Sequence, residues 1–473
     1  MKRFTLLVLL AALLAGCGDT PVPAETTVPE ASAETTEAPL PTFDFEGIAL
    51  NVLAAESTAY IGYLDVAEQT GEVLNDAIFA CNRAVEERLN IVIEQTLEGA
   101  TAANKTAEAL IMANDHVYDL LSLTDRNAFN LAVQGMLLPY DSLPNVDLTQ
   151  EYWAQGINDT LRMMDRYWLA TGDFNLSYYD YTFMMVFNKQ LADDLKLDDP
   201  YALVNSGKWT LDAFSKMCIG ANRDLNGDSK MDDADQWAWS GAYQNIAPSL
   251  WVASGAQSIH KNDDDLPVFT MGSDSHFTEV FMKIYDIAFA RGCYHHKTDT
   301  QSITALPAFK EGRALFQTTS FQELDGEYYR DMTIDYGILP HPKWDENQAE
   351  YYSHVAGGRL FVVPVTAKET EMIGASLEAL SRQASEDIIP AYYEIALKSK
   401  YTRDDESAKM FDIITDSRIY DLGATIWTNQ IRSGFIMRMM KDGSNALASE
   451  VEANRAMVEG ELQKAIDGFK AQK

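Results

Sequence analysis

Asn75-Asp76-Ala77-Ile78-Phe79-Ala80-Cys81-Asn82-Arg83-Ala84-Val85-Glu86-Glu87-Arg88-Leu89-Asn90-Ile91-Val92-Ile93 holds the pattern that decides the fold. Ile78, Cys81, Val85 and Leu89 recur at helical spacing on one face, and Asn75-Asp76 supplies capping side chains ahead of them. Ile91-Val92-Ile93 follows at once and reads as a strand. The alternation continues on both sides. Residues 48–54 read as a strand, 104–113 as a second helix and 117–123 as a third strand. Strand and helix alternating at short spacing predict an α/β layered domain with a partly parallel sheet. In such sheets ligands bind beyond the carboxyl ends of the strands, which directs attention to Thr124-Asp125-Arg126-Asn127.

The N-terminal residues set the compartment. Lys2 and Arg3 precede an apolar run over 4–14 that ends in Leu14-Ala15-Gly16-Cys17. A positive start, a short apolar core and small residues are the anatomy of a secretory signal, and the run is too short for a typical membrane span. Leu-Ala-Gly-Cys resembles the lipobox of bacterial lipoproteins. That resemblance implies a signal over 1–17, acylation of Cys17, and an extracytoplasmic protein held on the cell membrane by its lipid. Residues 18–42 are rich in Thr, Pro, Glu and Ala, too poor in large apolar side chains to fold, and read as a disordered tether.

The whole chain has 473 residues and a formal net charge of -34. Such a balance excludes a nucleic-acid partner, which needs a basic footprint, and disfavours a body lying flat on anionic lipid. No later apolar run is long enough to span a bilayer. Past Cys17 the cysteines are Cys81, Cys218 and Cys293, with no C-x-x-C spacing. One pair has the option of bridging, but the number is odd, and all three are expected free and buried.

Further along, 135–144 reads as a turn-rich connection and Trp153 opens a helical stretch that includes Leu161 and Met164. Residues 167–170 read as a short strand, 182–187 as a buried strand and 190–195 as a helix. Trp209 to Phe214 starts a helix with Thr210 as its N-cap and Asp212 in its first turn. Helical patterns recur over 276–290, 304–311, 367–382, 386–398, 405–415 and 445–470, and no internal repeat is evident.

Five stretches together resemble the extracellular solute-binding proteins of bacterial ABC importers, in the branch that includes maltose- and oligosaccharide-binding proteins. They are Cys81 through Ile91; Ala170-Thr171-Gly172-Asp173 with Phe187-Asn188-Lys189; Asp199-Pro200-Tyr201 with Gly207-Lys208-Trp209-Thr210; Phe309-Lys310-Glu311-Gly312-Arg313-Ala314-Leu315-Phe316; and Tyr336-Gly337-Ile338-Leu339-Pro340-His341-Pro342-Lys343. The resemblance implies a two-lobed α/β fold of the periplasmic-binding-protein type II class. Crossing strands would join the lobes around a ligand cleft that closes by hinge bending. It places lobe 1 over 43–168 and 340–400 and lobe 2 over 169–339 and 401–473, with crossings near 169–174 and 339–342. It further implies a monomer that passes its solute to the transmembrane subunits of a permease.

One metal signal stands out. Asp224 through Asp235 resembles an EF-hand-type calcium loop, with Asp224, Asn226, Asp228, Asp232 and Asp235 at oxygen-bearing positions and the Lys230 carbonyl at the seventh. Two departures matter: Ser229 stands where glycine is usual, which demands φ > 0 of a serine, and Asp235 stands where glutamate is usual. The expectation is structural Ca²⁺, with Trp237 and Trp239 anchoring the loop to the core.

Sugars present apolar faces and rings of hydroxyls, so the clefts that hold them combine aromatic faces with Asp, Asn, Gln and Arg. On loops and crossings the candidates are Asp125, Asp173, Tyr178, Tyr179, Trp251, Phe321, Gln322 and Arg359, with Tyr181, Glu323, Gly357 and Gly358 beside them. No G-x-S-x-G elbow or H-E-x-x-H pair occurs, and His295-His296, adjacent in sequence, is a poor metal pair expected on a solvated loop. The chain is therefore read as a receptor, not an enzyme. A lipid-anchored glycoside hydrolase, a receptor of the same fold for peptide or another polar solute, and a surface adhesin are the other readings.

Overall fold

The alternation over 48–124 folds as two helices laid between three strands: β1 (Ile48–Glu56), helix Val73–Leu89, β2 (Ile91–Gly99), helix Ala100–Met112 and β3 (Leu120–Thr124). The computed structural model describes residues 42–56, 61–295, 307–325, 329, 332–394 and 405–472. The residues read as a signal, Cys17, and the stretch read as a tether up to Pro41 lie outside the described residues, as does His296. Ile78, Cys81, Val85 and Leu89 are buried, as their spacing requires. The helix begins two residues ahead of the predicted cap. Asn75 and Asp76 sit in its first turn, where their side chains accept from Thr70 N at 3.0 and 2.9 Å. Asn90 then takes φ +49° and turns the chain into β2.

The remaining strands are β4 (Leu137–Leu138), β5 (Phe183–Asn188), β6 (Trp237–Ser240), β7 (Ile259–Lys261), β8 (Pro267–Phe269), β9 (Ala314–Ser320), β10 (Tyr336–Leu339), β11 (Ser353–His354), β12 (Arg359–Pro364) and β13 (Arg418–Ile419). Among the described residues they build two main sheets. The first has the order β2-β1-β3-β12-β4 and the second β10-β5-β9-β6. β1 is parallel to β2 and β3, while β12 runs antiparallel to β3. In the second sheet β5 is antiparallel to β9 and β10, and β6 is parallel to β9. Two sheets in separate α/β layers, linked by a chain that passes between them, make the two-lobed architecture. The chain leaves the first sheet after β4, enters the second at β5, and returns between β10 and β12.

The second lobe is built around aromatic rings. Trp209, Phe214, Trp239 and Phe316 are fully buried, with centroids 6.0 Å (Trp209–Phe214), 5.7 Å (Trp209–Phe316), 5.4 Å (Phe214–Trp239) and 5.3 Å (Phe214–Phe316) apart. Trp209 Nε1 donates to Pro340 O at 2.9 Å, which ties the cluster to the returning chain. Thr210 caps the helix Leu211–Cys218 as predicted, its Oγ1 accepting from Ala213 N. β9 ends at Ser320, where Glu323 accepts from Ser320 N and Thr319 Oγ1, both at 3.1 Å. Burial pushes the Glu323 carboxyl up to about 7.

Three sequence expectations need correction. Residues 167–170 form no strand: Trp168 instead packs on Phe469 at 5.5 Å, and its Nε1 donates to Met163 O. The helix opened near Trp153 is Gln155–Leu161 and stops before Met164, which takes φ +55°. The patterns over 367–382 and 386–398 join, as far as Glu394, in one helix, Thr370–Glu394, which runs through Pro390 and packs along Val73–Leu89; 395–398 lie outside the described residues. The C-terminal helix Leu447–Lys470, assigned by sequence to the second lobe, touches both. Val451 lies against Gly272 beyond β8, while Phe469 meets Phe129 at 5.6 Å on a helix of the first lobe.

Trp209→Ala should lower unfolding stability by about 3–5 kcal/mol through lost burial and the cavity it leaves, read in urea denaturation. Glu323 gives a pH signature. Its folded value lies above the ordinary 4.5, so the stability held by the protonated form is complete below 4.5 and is lost as pH rises through about 7. Glu323→Gln should therefore match the wild type near pH 4.5 and melt a few degrees higher at about pH 8.

Candidate ligand cleft

β3 opens at its carboxyl end directly into Asp125, the first residue of the helix Asp125–Val133. Asp125 N donates to Gly358 O at 3.2 Å, Ala356 N to Tyr181 O at 3.1 Å, and Val355 bridges Thr182 just ahead of β5. Residues 355–358 thus bring the end of the second sheet against the carboxyl end of the first. Gly357 takes φ +151°, and a Cβ there would stand 3.2 Å from Asp125 Oδ2, so glycine is required at this approach.

A cavity of about 180 Å³ opens at this junction. Its wall carries Asp125, Arg126, Tyr181, Thr425, Thr428 and Arg432, with Gly357 and Gly358 as its floor. Arg126 Nη1 donates to Asn429 Oδ1 at 3.2 Å, and Arg432 Nε donates to Thr428 Oγ1 at 2.9 Å, so each guanidinium is oriented by the segment beyond β13. Burial pushes the Asp125 carboxyl up to about 6, against the Arg126 N–H and the Arg126, Arg432 and Arg359 cations, which pull it down. Burial also lowers Arg432 to about 10. A carboxylate acceptor, two oriented guanidiniums, two threonine hydroxyls and a tyrosine face suit a polar solute rich in hydroxyls. A larger cavity, of about 440 Å³, lies between the end of helix Tyr243–Ala253 and residues 344–352. No residue at a carboxyl end of the two main sheets lines it, so the smaller one is the candidate site.

The residues singled out by sequence separate here. Asp125 lines the cavity. Arg359 borders it, but its side chain is committed to β3: Nε donates to Ser122 Oγ at 3.1 Å and Nη2 to Ser122 O. Tyr178 lies behind the wall, buried against Tyr420 at 5.6 Å. Tyr179 donates to Asp173 Oδ1 at 2.9 Å and carries the Arg418 guanidinium 3.7 Å over its ring, so Asp173 and Tyr179 form a crossing lock and not a ligand wall. Burial pushes Asp173 up to about 6. Trp251 is a core residue, fully buried 5.4 Å from Phe277, and Phe321 is buried 4.5 Å from Phe411. Neither is a stacking platform, because each faces the interior of its own lobe. Gln322 is half-buried in the first turn after β9. Sequence reasoning missed Thr425, Thr428 and Arg432. Their spacing of three and then four residues, a polar stripe at helical period, was the signal available.

Two further expectations bear on metals. In the 224–235 loop, Asp224 accepts from Gly227 N and Ser229 N, Asn226 from Asp228 N, Asp228 from Lys230 N, Asp232 from Ala234 N, and Asp235 from Leu225 N and Asp232 N. Ser229 takes φ +67°, the conformation its position demands. Among the described residues, however, no three His, Cys, Asp or Glu side chains gather as a metal site. Trp237 and Trp239 are buried in β6 just beyond the loop. His295 is not on a solvated loop: it is buried, stacked 5.0 Å from Trp237, and 2.8 Å from Asp233 Oδ1.

No protein-family model matches the chain, and no curated protein matches it in sequence. Solved structures do match. A cyclo/maltodextrin-binding protein in complex with maltotetraose superposes with a TM-score of 0.58 at 13% identity, over 90% of this chain and 97% of that one. An ABC substrate-binding protein from Listeria monocytogenes in complex with cycloalternan gives 0.53 at 11%, over 89% and 100%. UgpB from Mycobacterium tuberculosis in complex with glycerophosphocholine gives 0.55 at 15%, over 89% and 98%. At such identities the likeness is one of fold, and it extends over nearly the whole of each chain: this protein has the two-lobed α/β architecture of those solute-binding proteins.

Proposed function

We propose that the chain is a solute receptor of an ABC importer that binds a carbohydrate, oligosaccharide in size, between its lobes. The observation that carries this reading is the cavity where the carboxyl end of β3 meets the returning chain, walled by Asp125, Arg126, Thr428 and Arg432. Solved proteins of the same fold hold maltotetraose and cycloalternan. Ligand hydroxyls would bridge Asp125 and Arg126 on one lobe to Tyr181 at the head of β5 on the other. A ligand touching both lobes favours the closed form by its differential affinity for it. The closed form would then dock on the permease, where other subunits hydrolyse ATP. Lipid anchoring through Cys17, the 18–42 tether, the lobe division at 168/169, 339/340 and 400/401, and action as a monomer belong to the same proposal.

Binding without catalysis is the favoured form of it. Glycoside hydrolysis needs two carboxyls flanking the scissile bond, and Asp125 is the one carboxylate among the described residues of this wall. A second reading has its own support. Arg126 and Arg432 suit a solute with an anionic group, and one protein of this fold holds glycerophosphocholine. Structural calcium at 224–235 is a separate proposal, resting on oxygen spacing and on the left-handed Ser229.

Calorimetric titration with maltodextrins, cyclic glucans and glycerophosphodiesters tests the reading. Binding of one glucan class without turnover is expected; binding of the phosphodiesters alone would replace carbohydrate with the anionic reading, and glucan hydrolysis would overturn the receptor. Affinity should fall as pH drops through about 6, the value of Asp125, because protonation removes the carboxylate charge and turns one of its two acceptor oxygens into a donor. Asp125→Asn should weaken binding by about 1.5–3 kcal/mol and flatten that pH profile. For the loop, calcium should raise the melting temperature over a chelated sample, and Asp224→Ala with Asp228→Ala should abolish the difference.

A further inference from the structure

Cys218 and Cys293 lie in one buried core cluster inside the second lobe. Cys218 is the last residue of the helix Leu211–Cys218 and is fully buried; Cys293 is 2% exposed, three residues past the π-turn Asp286–Ala290. All three described cysteines are free thiols; these two belong to one buried core cluster, and Cys293 Sγ donates to Arg291 O at 3.8 Å. The segments that carry them are clamped together by their backbones. Asn222 Nδ2 donates to Gly292 O at 2.6 Å, and Asn222 Oδ1 accepts from Ala238 N at 2.8 Å. Trp239 N donates to Cys293 O at 3.0 Å, Cys293 N to Ile287 O at 3.2 Å, and Ala221 N to Cys218 O at 3.1 Å. One asparagine therefore holds both segments against β6, which keeps the two buried thiols near enough to perturb one another within a fixed frame.

The electrostatics distinguish the two groups. The neighbouring Cys218 thiol draws the Cys293 thiol below its ordinary value, with help from the Arg291 cation, while burial holds Cys218 far above. Cys293 is thus the sulfur that ionises first and attacks. Cys81 has no part in this: it sits on the helix Val73–Leu89 of the first lobe, where burial pushes it up to about 12.

We propose that Cys218 and Cys293 are a redox pair that closes to a disulfide when a low-molecular-weight disulfide supplies the oxidant. The Cys293 thiolate attacks one sulfur of the oxidant, whose S–S bond breaks and releases one thiolate with the electron pair. The Cys218 sulfur, giving up its proton, then attacks the Cys293 sulfur of the mixed disulfide and expels the second thiolate. The two released thiolates take up the two protons. Two protein thiols are oxidised by two electrons, and one small disulfide is reduced to two thiols. The bridge closes a loop of about 75 residues, a length at which cross-linking strongly restricts the unfolded chain. That loop contains β6, the 224–235 turn and the helices Tyr243–Ala253 and Ser275–Tyr285. The effect is a clip within one lobe, apart from the cleft, so it stabilises without altering the ligand wall. It stands independently of what the cleft binds.

The full chain, unfolded and refolded in a buffer of oxidised and reduced glutathione, gives the test, since access to the buried sulfurs then sets no limit. After alkylation and digestion, a peptide linking Cys218 to Cys293 is expected, with Cys81 alkylated. The linked protein should melt several degrees above the dithiothreitol-treated sample, and Cys81→Ser should leave both results unchanged. Cys218→Ser should remove the linked peptide and leave Cys293 alkylated or capped by glutathione. Recovery of Cys218 and Cys293 both alkylated in the wild type, or linkage of either to Cys81, would overturn the pairing. A linked peptide with no gain in melting temperature would overturn the clip.

Discussion

Arg359 carries a guanidinium into the interior of the first sheet and fastens it to Ser122, on the neighbouring strand β3. Its backbone is held just as firmly. Arg359 N donates to Ser177 Oγ at 3.0 Å, and Arg359 O accepts from Asn175 Nδ2 at 2.7 Å. One residue thus joins the sheet to both passages of chain between the lobes. A buried cation without such partners would destabilise the sheet by several kcal/mol, so the surroundings of Arg359 are fixed within narrow limits. Those limits set β12 in register with β3, bring Gly357 and Gly358 against Asp125, and so determine the floor of the cleft.

The charge of the cleft departs from that of the molecule. The chain has 71 acidic residues against 37 basic ones, yet Arg126, Arg359 and Arg432 converge on the single carboxylate Asp125. Low local dielectric strengthens each of these interactions and raises the cost of leaving any unpaired. Arg359 is satisfied by protein. Arg126 and Arg432 are only oriented by it, toward a wall that a ligand would complete. A similar division runs along the crossings. Asp173, Tyr179 and Arg418 lock one passage, while burial holds the His341 imidazole on the return down to about 3, and so neutral. The passages therefore hold their geometry by packing and hydrogen bonds, and Asp125 is the carboxylate among the described residues of the cavity wall.

The C-terminal helix constrains any motion between the lobes. Its first half lies against Gly272 and Phe269, and its last turn against Phe129 and Val133. Any hinge bending about the crossings would have to carry this helix with one lobe and let it slide on the other, a shear added to a hinge.

Local order was legible in the residues themselves. The spacing of Ile78, Cys81, Val85 and Leu89, the strand that follows, and the cap of Thr210 all depend on neighbours within a few positions. The physics there is periodicity and the satisfaction of helix-end N–H groups, and it carried the α/β reading, although the segment read as a loop after β3 is the start of the helix Asp125–Val133. The chain could not announce which aromatics face a ligand. Trp251 and Phe321 look the same in sequence whether they line a wall or fill a core, and only the packing of Phe277 and Phe411 against them decided it. Nor could it join Arg432 to Asp125, some three hundred residues apart. The sequence alone determined most of the elements and their order, because those follow from contacts close along the chain. The tertiary structure alone decided the cleft, because its wall exists only where two crossings and the end of a sheet meet.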